Sequence, residues 1–245
     1  MDYAQVTKPG TRATNEDSLA NVENSLGSLF VVADGLGAHG KGEVASAIAV
    51  ETLRKAFSAP ASGADTFSVD TFLAEAMLEA QAAILREQQV QRSPLEMKTT
   101  CAALLLADGA CRTAHVGDTR VYTFYNNKMK TRTIDHSVPQ MLALSGEIKE
   151  KHIRHHPDRN RLLRVMGVDW AMPQYELSAA VPLAECQAFL LCSDGFWELC
   201  SEKKMCAFLK KSGNAALWLD RMTEEVEKQG RGRDMDNYTA IAVFC

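Results

Sequence analysis

The sequence contains no C-x-x-C pair. Its seven cysteines are scattered, several of them inside apolar runs, as at Cys101, Cys192 and Cys245. Neither a disulfide framework nor a structural zinc site is expected, and the pattern reads as free thiols in a reducing, cytoplasmic compartment. Long apolar runs are also missing: Leu29–Ala33 and Cys101–Ala107 fall far short of the roughly 20 residues that cross a bilayer. The start, Met1-Asp2-Tyr3-Ala4-Gln5, has neither the basic residues nor the apolar stretch of a secretory signal, so no membrane partner is expected. An excess of positive charge is absent too. With 27 basic against 31 acidic residues the formal net charge is -4, which excludes a generally basic nucleic-acid binder. No repeat, low-complexity tract or coiled-coil seam occurs, and a monomer is expected. The one linker-like stretch, Ser58-Ala59-Pro60-Ala61-Ser62-Gly63-Ala64, sits between two helical patterns and reads as a loop inside a single domain, 1–245.

What is present is the balance of an ordinary globule, 46% hydrophobic and 24% charged over 245 residues. Apolar residues recur at helical spacing over Gly42–Phe57 (Val44, Ile48, Leu53, Phe57) and over Val69–Gln91 (Phe72, Leu73, Met77, Leu78, Ile84). A third helix is predicted from Asn214 to Gln229. Short apolar or alternating runs predict strands at Leu29–Ala33, Cys101–Ala107, Arg112–Val116, Val121–Tyr125, Lys130–Ile134, Ala188–Cys192 and Thr239–Phe244. Ala107-Asp108-Gly109-Ala110 reads as a hairpin turn, because Asp-Gly supplies the positive φ that a tight turn needs. Hairpins imply antiparallel pairing. Strands in runs and helices in blocks favour an α+β arrangement with helices packed outside antiparallel sheets, not a doubly wound parallel sheet.

The aspartates are placed at the ends of these runs. Asp34 follows Phe30-Val31-Val32-Ala33, Asp118 follows Ala114-His115-Val116-Gly117, and Asp194 follows Phe189-Leu190-Leu191-Cys192-Ser193. Asp236 precedes the last strand, and Glu16 and Asp17 precede another. Taken singly, each reads as turn chemistry. Gathered together at strand ends, they would repel one another unless a cation neutralised them. An all-oxygen set with no matching His/Cys set points to Mg²⁺ or Mn²⁺ rather than zinc. Such ions can clamp a phosphate and lower the pKa of a water between them. Arg12 adds a planar, two-pronged donor suited to phosphate oxygens.

Six segments occur in order along the chain: Arg12-Ala13-Thr14-Asn15-Glu16-Asp17, Val32-Ala33-Asp34-Gly35-Leu36-Gly37-Ala38-His39-Gly40, Gly42-Glu43-Val44-Ala45-Ser46, His115-Val116-Gly117-Asp118-Thr119-Arg120, Cys192-Ser193-Asp194-Gly195 and Asp236-Asn237. Together they resemble the motifs of the metal-dependent type 2C serine/threonine protein phosphatases in their compact bacterial form, over essentially the whole chain. The resemblance implies a four-layer α/β/β/α sandwich, two antiparallel sheets flanked by helices, around a dinuclear Mg²⁺ or Mn²⁺ centre. It implies that Asp34 bridges the two ions with the Gly35 carbonyl on one of them, and that Asp194 and Asp236 complete the other. Glu16 and Asp17 bind directly or through water, Asp118 joins Asp194 at a third, weaker ion, and Arg12 holds the substrate phosphate.

The implied reaction is attack of metal-activated water on phosphoserine or phosphothreonine without a phosphoenzyme, so Cys192 and Ser193 are expected to be structural. The implied partners are phosphorylated proteins and a cognate Ser/Thr kinase, with a weaker resemblance toward phosphatases of type VI secretion control. The chain departs from the family at Lys98-Thr99-Thr100, where Gly often precedes the paired Thr. It also has Leu36 where some members have a histidine, so His39 reads either as a general acid or as a loop-fixing donor. The stretch 145–168 corresponds to the family's flap; its Lys149, Lys151, His152, Arg154, His155, His156 and Arg159 read as an attractor of phosphopeptides or as a solvated loop. Phe196 and Trp197 read as core beneath the site. Two other readings fit the same residues, a binding module that keeps the fold without catalysis and a metal-dependent hydrolase of small phosphoesters.

Overall fold

A computed structural model describes residues 1–36, 41–58, 68–92 and 97–245. Twelve strands and six α-helices occur among them, and every strand pairing is antiparallel. The strands are β1 (Asp2–Lys8), β2 (Asp17–Asn24), β3 (Gly27–Leu36), β4 (Lys98–Thr99), β5 (Cys101–Ala107), β6 (Ala110–Val116), β7 (Arg120–Tyr125), β8 (Lys128–Arg132), β9 (Glu176–Leu177), β10 (Val181–Pro182), β11 (Ala188–Cys192) and β12 (Tyr238–Phe244). One sheet runs β1-β12-β11-β7-β8. The other runs β10-β6-β5-β3-β2, with β4 beside β3 and β9 beside β6. Helices α1 (Gly42–Ser58) and α2 (Val69–Gln91) cover the second sheet, and α6 (Ala215–Gly230), with α5 (Glu202–Leu209) packed on it, covers the first. Two short helices, α3 (Val138–Leu144) and α4 (Asp194–Trp197), complete the set.

The central strands read as unbroken apolar runs because they are buried on both faces. Side chains alternate across a strand, so Leu29, Val31 and Ala33 of β3 face the α1/α2 layer while Phe30 and Val32 face the opposite sheet. In the other sheet, Leu190 and Cys192 of β11 and Ala240 and Ala242 of β12 face α5 and α6. Phe189, Leu191, Ile241 and Val243 meet Phe30, Val32, Leu104 and Leu106 between the sheets. Three apolar layers thus separate four layers of backbone, which is the expected α/β/β/α sandwich. The Asp108-Gly109 hairpin is present with φ of 51° and 70°.

Strand β1 was not foreseen because it is an edge strand of mostly exposed residues, Asp2 to Lys8, whose pattern carries no apolar signature. The predicted strand Lys130–Ile134 begins earlier, at Lys128, since Asn126 and Asn127 adopt φ of 49° and 59° and turn the chain directly from β7 into β8. The third helix starts at Ala215 because Asn214 is its cap, its side chain accepting from Leu217 N at 2.8 Å. From residue 59 on, the Ser58–Ala64 loop lies outside the described residues, as does His39. Among the described residues, no helix is long and apolar enough to cross a membrane.

Candidate metal centre

The strand registers bring the acidic residues to one end of the sandwich. Asp17 opens β2 directly opposite Asp34 near the end of β3. Val116, two residues before Asp118, is paired with Cys101, and Cys192, two residues before Asp194, lies between Arg120 and Ala240. The result is a cleft of about 430 Å³ lined by Arg12, Glu16, Asp34, Gly35, Asp118, Asp194 and Asp236. The sequence had these residues scattered over more than two hundred positions. Asp17 is not among the lining residues: it is buried, one carboxylate oxygen accepts from Ser193 Oγ at 2.7 Å, and the other, Oδ1, has no hydrogen-bond partner among the described residues.

Backbone and hydroxyl groups fix the floor. The Asp34 N–H donates to Thr100 Oγ1 (3.0 Å), and the Asp34 carbonyl accepts from Thr99 Oγ1 (2.8 Å) and Thr100 N (2.9 Å). This is what the paired threonines after Lys98 do. Lys98 itself is half-buried, opposite Leu36. Gly35 must be glycine, because a Cβ there would lie 2.3 Å from the Gly42 carbonyl oxygen and 2.5 Å from that of Glu16. Asn237, for which the sequence reading had no role, ties the Arg12–Glu16 loop down: its Nδ2 donates to the Pro9 and Thr14 carbonyls (both 2.9 Å) and its Oδ1 accepts from Glu16 N (2.8 Å). Its adjacency to Asp236 was the one available signal. Arg12 sits exposed at the mouth and donates from Nη2 to Asp236 Oδ2 at 3.1 Å.

Burial and mutual repulsion make this cluster costly when ionised. Desolvation first, then the neighbouring aspartates, pushes Asp34 and Asp118 well above the usual carboxylate range. Asp194 is pushed up to about 7, by burial and then by Glu198 and Asp236. Asp17 is likewise raised to about 7 by burial, against the lowering effect of its Ser193 hydrogen bond. Glu16 is raised by burial, with Glu43 and Asp236 adding to it. A set of buried oxygen donors whose negative charges repel one another, together with the unpartnered Asp17 Oδ1, fits hard divalent ions.

A pH dependence follows. An unfolded aspartate titrates near pH ~3.9, and the folded values of Asp17 and Asp194 are about 7. The metal-free fold therefore binds more protons than the unfolded chain across that interval. The stabilisation those protons give is complete below about pH 4 and lost as pH passes about 7. Ions and protons compete for the same oxygens. Added Mn²⁺ or Mg²⁺ should thus raise the melting temperature more at pH 8 than at pH 6, and a rise equal at both, by differential scanning fluorimetry, would contradict the shared site.

A second cluster, His115, His136 and Glu176, offers three ligand atoms within 4.8 Å of one another. Its hydrogen bonds speak against a metal. The Gly117 N–H donates to His136 Nδ1 (3.2 Å), so the neutral ring carries its proton on Nε2, which lies 3.2 Å from Glu176 Oε1. Arg164 Nη1 reaches the same carboxylate at 3.3 Å. His136 is lowered to about 4, by burial and then by the adjacent His115, whose ring is stacked on it at 4.8 Å. With its backbone N–H on Gly117 O (2.9 Å) and its carbonyl accepting from Leu163 N (2.8 Å), His136 clasps the turn before Asp118 to the end of the 145–168 segment.

The basic residues of that segment divide between contacts to the protein and exposure to solvent. Arg154 donates to the Trp197 carbonyl and, at 3.2 Å, to that of Glu198, and pairs with Glu202 at 2.7 Å. Arg159 pairs with Glu198 at 2.9 Å. Both are engaged with the helix that begins at Asp194. Lys149, Lys151, His152 and His155 are exposed. Asn160 and Leu162 line the cleft.

A sandwich of two antiparallel sheets between helix layers thus carries at one end a cleft of oxygen donors suited to divalent ions. The chain belongs to the protein phosphatase 2C family, whose sequence profile matches residues 10–236, and this family hydrolyses phosphoserine and phosphothreonine and is metal-dependent. It is 30% identical over 233 residues to the serine/threonine phosphatase stp of Listeria welshimeri, covering 95% of this chain and 90% of that one. The serine/threonine phosphatase Stp1 from Staphylococcus aureus has a similar structure (TM-score 0.89, 26% identity, 100% and 95% of the two chains). So does the catalytic domain of the phosphatase PstP, solved with two manganese ions (TM-score 0.80, 26% identity, 99% and 96%).

Proposed function

We propose that the chain is a Mg²⁺- or Mn²⁺-dependent phosphatase of phosphoserine and phosphothreonine in proteins, acting as one catalytic unit, 1–245. The observation that carries this reading is the convergence of Asp34, Asp118, Asp194 and Asp236 in one cleft whose mouth holds Arg12. Asp34 and the Gly35 carbonyl would hold two core ions, with Asp194 and Asp236 completing the second, Glu16 and Asp17 supporting directly or through water, and Asp118 with Asp194 taking a third. Bound there, the ions supply positive charge against the phosphate and a lowered pKa for water. Arg12 orients the phosphate: one of its donors engages Asp236, and a guanidinium has five.

Direct attack by water, without a phosphoenzyme, is favoured by what the nearby nucleophiles do. Cys192 is fully buried and its thiol is pushed well above its ordinary value by desolvation. The Ser193 hydroxyl donates to Asp17 and accepts from Thr239 N at 3.0 Å. Neither is free to attack. At the level of the cell, the proposal is a cytoplasmic monomer that acts on phosphorylated proteins and reverses a Ser/Thr kinase. A place in type VI secretion control rests on the motif resemblance alone.

The deciding experiment is phosphate release from a phosphothreonine peptide with Mn²⁺, with Mg²⁺ and with chelator. Release with metal and none with chelator supports the reading; a well-folded protein that releases nothing under any of the three overturns it. Arg12→Ala should lower kcat/KM about ten- to hundredfold, the range of a lost hydrogen bond to a charged group. An unchanged kcat/KM would remove Arg12 from the site.

A further inference from the structure

Asp118 and Asp194 follow strands that are far apart in sequence, β6 and β11, yet both line the one cleft. Something must hold them at the spacing an ion requires. Asp194 is the first residue of α4, and Trp197 is the last residue of that single turn. The Trp197 indole is buried and its Nε1–H donates to the Asp118 carbonyl at 3.0 Å. The side chain that fixes the Asp118 backbone therefore belongs to the same turn that carries Asp194.

The indole cannot easily swing away. The Arg120 guanidinium lies over its ring, 3.5 Å from the centroid. Arg120 is two residues beyond Asp118 and is locked by a two-pronged pair with Asp135 (2.8 and 2.6 Å). From the 145–168 segment, Arg154 donates to the Trp197 and Glu198 carbonyls at the other end of the turn. We propose that Trp197 is a positioning residue that sets the Asp118–Asp194 spacing, and hence the affinity for the third ion, with Arg154 bracing the turn from the flap. The inference rests on the reading of Asp118 as a ligand of that ion.

The test is calorimetric titration of the full chain with Mn²⁺, beside the Mn²⁺ dependence of phosphopeptide turnover, for the wild type, Trp197→Phe, Asp118→Ala and the double variant. Trp197→Phe keeps an aromatic ring under Arg120 and removes the N–H donor together with part of the buried ring volume, a loss of packing that would be felt at every binding step alike. It should weaken the weakest Mn²⁺-binding step on the order of three- to tenfold, the worth of one hydrogen bond. The two tighter steps should stay in place, and turnover lost at low Mn²⁺ should return as Mn²⁺ is raised. The double variant should bind as Asp118→Ala does. If Asp118→Ala removes the weak step but Trp197→Phe leaves it unchanged, the inference is overturned and the role of Asp118 stands. If Asp118→Ala changes no step, the role of Asp118 fails and takes the inference with it. Equal weakening of all steps would mean general loosening and also overturns it. Should Trp197→Phe not fold, Arg154→Gln reads the same step through the brace: a smaller shift in the same direction supports the inference, and none overturns it.

Discussion

Asp34→Asn and Asp194→Asn should each lower phosphopeptide turnover by on the order of a thousandfold or more, while making the metal-free protein more stable. The two halves of this expectation have one origin. Both carboxylates lie on the floor of the cleft, where desolvation and their neighbours raise them above the usual range. Ionising them opposes the fold until a cation offsets their charge. Asparagine keeps the shape and a carbonyl oxygen and removes the charge. Loss of metal-ion catalysis is worth several kcal/mol, and about 1.4 kcal/mol is tenfold in rate. The same substitution relieves repulsion in the empty cluster, so melting in chelator should occur at higher temperature than in the wild type. Mn²⁺ at about 100 times its Kd should raise the wild-type melting temperature by about 5–10 °C, and the variants' much less. A variant that turns over normally, or one that is destabilised without metal, would count against the centre as described.

Arg120→Ala should destabilise the fold by about 3–5 kcal/mol, the loss expected when one member of a buried ion pair is removed. The Arg120 and Asp135 side chains are 3% and 1% exposed. Without the guanidinium, Asp135 keeps a 3.4 Å contact from Arg132 as its one ion pair among the described residues, Tyr122 loses its 2.8 Å partner, and the face of Trp197 is uncovered. Urea denaturation in chelator reads this effect apart from metal binding. Replacing both partners, as Arg120→Met with Asp135→Asn, should recover much of the loss, because the charge left unpaired is what costs most. A single variant within about 1 kcal/mol of the wild type would show that the pair is not a structural one.

Much of the architecture was legible in order along the chain. Runs such as Phe189–Cys192 and Cys101–Ala107 are apolar at every position because both faces of their strands are covered, and Asp108-Gly109 announced its hairpin by its backbone preference. The aspartates at the ends of these runs, with Arg12 before them, marked the site. Edge strand β1 was not legible, since an exposed strand needs no apolar pattern. Nor was the engagement of Arg154 and Arg159 with α4: a run of basic residues looks alike whether it faces solvent, a substrate or a helix end.

The sequence by itself determined which residues are apolar, at what period, and which carboxylates follow them, because burial and backbone preference act on neighbours along the chain. The tertiary structure decided what those residues touch. Asp17 opposite Asp34, Asn237 on the Arg12 loop, the His136 clasp and the Trp197 link between Asp118 and Asp194 join residues up to 228 positions apart. Turn chemistry and apolar pattern set register within a hairpin, but most of these contacts join strands and loops distant in sequence, whose pairing depends on how the layers stack.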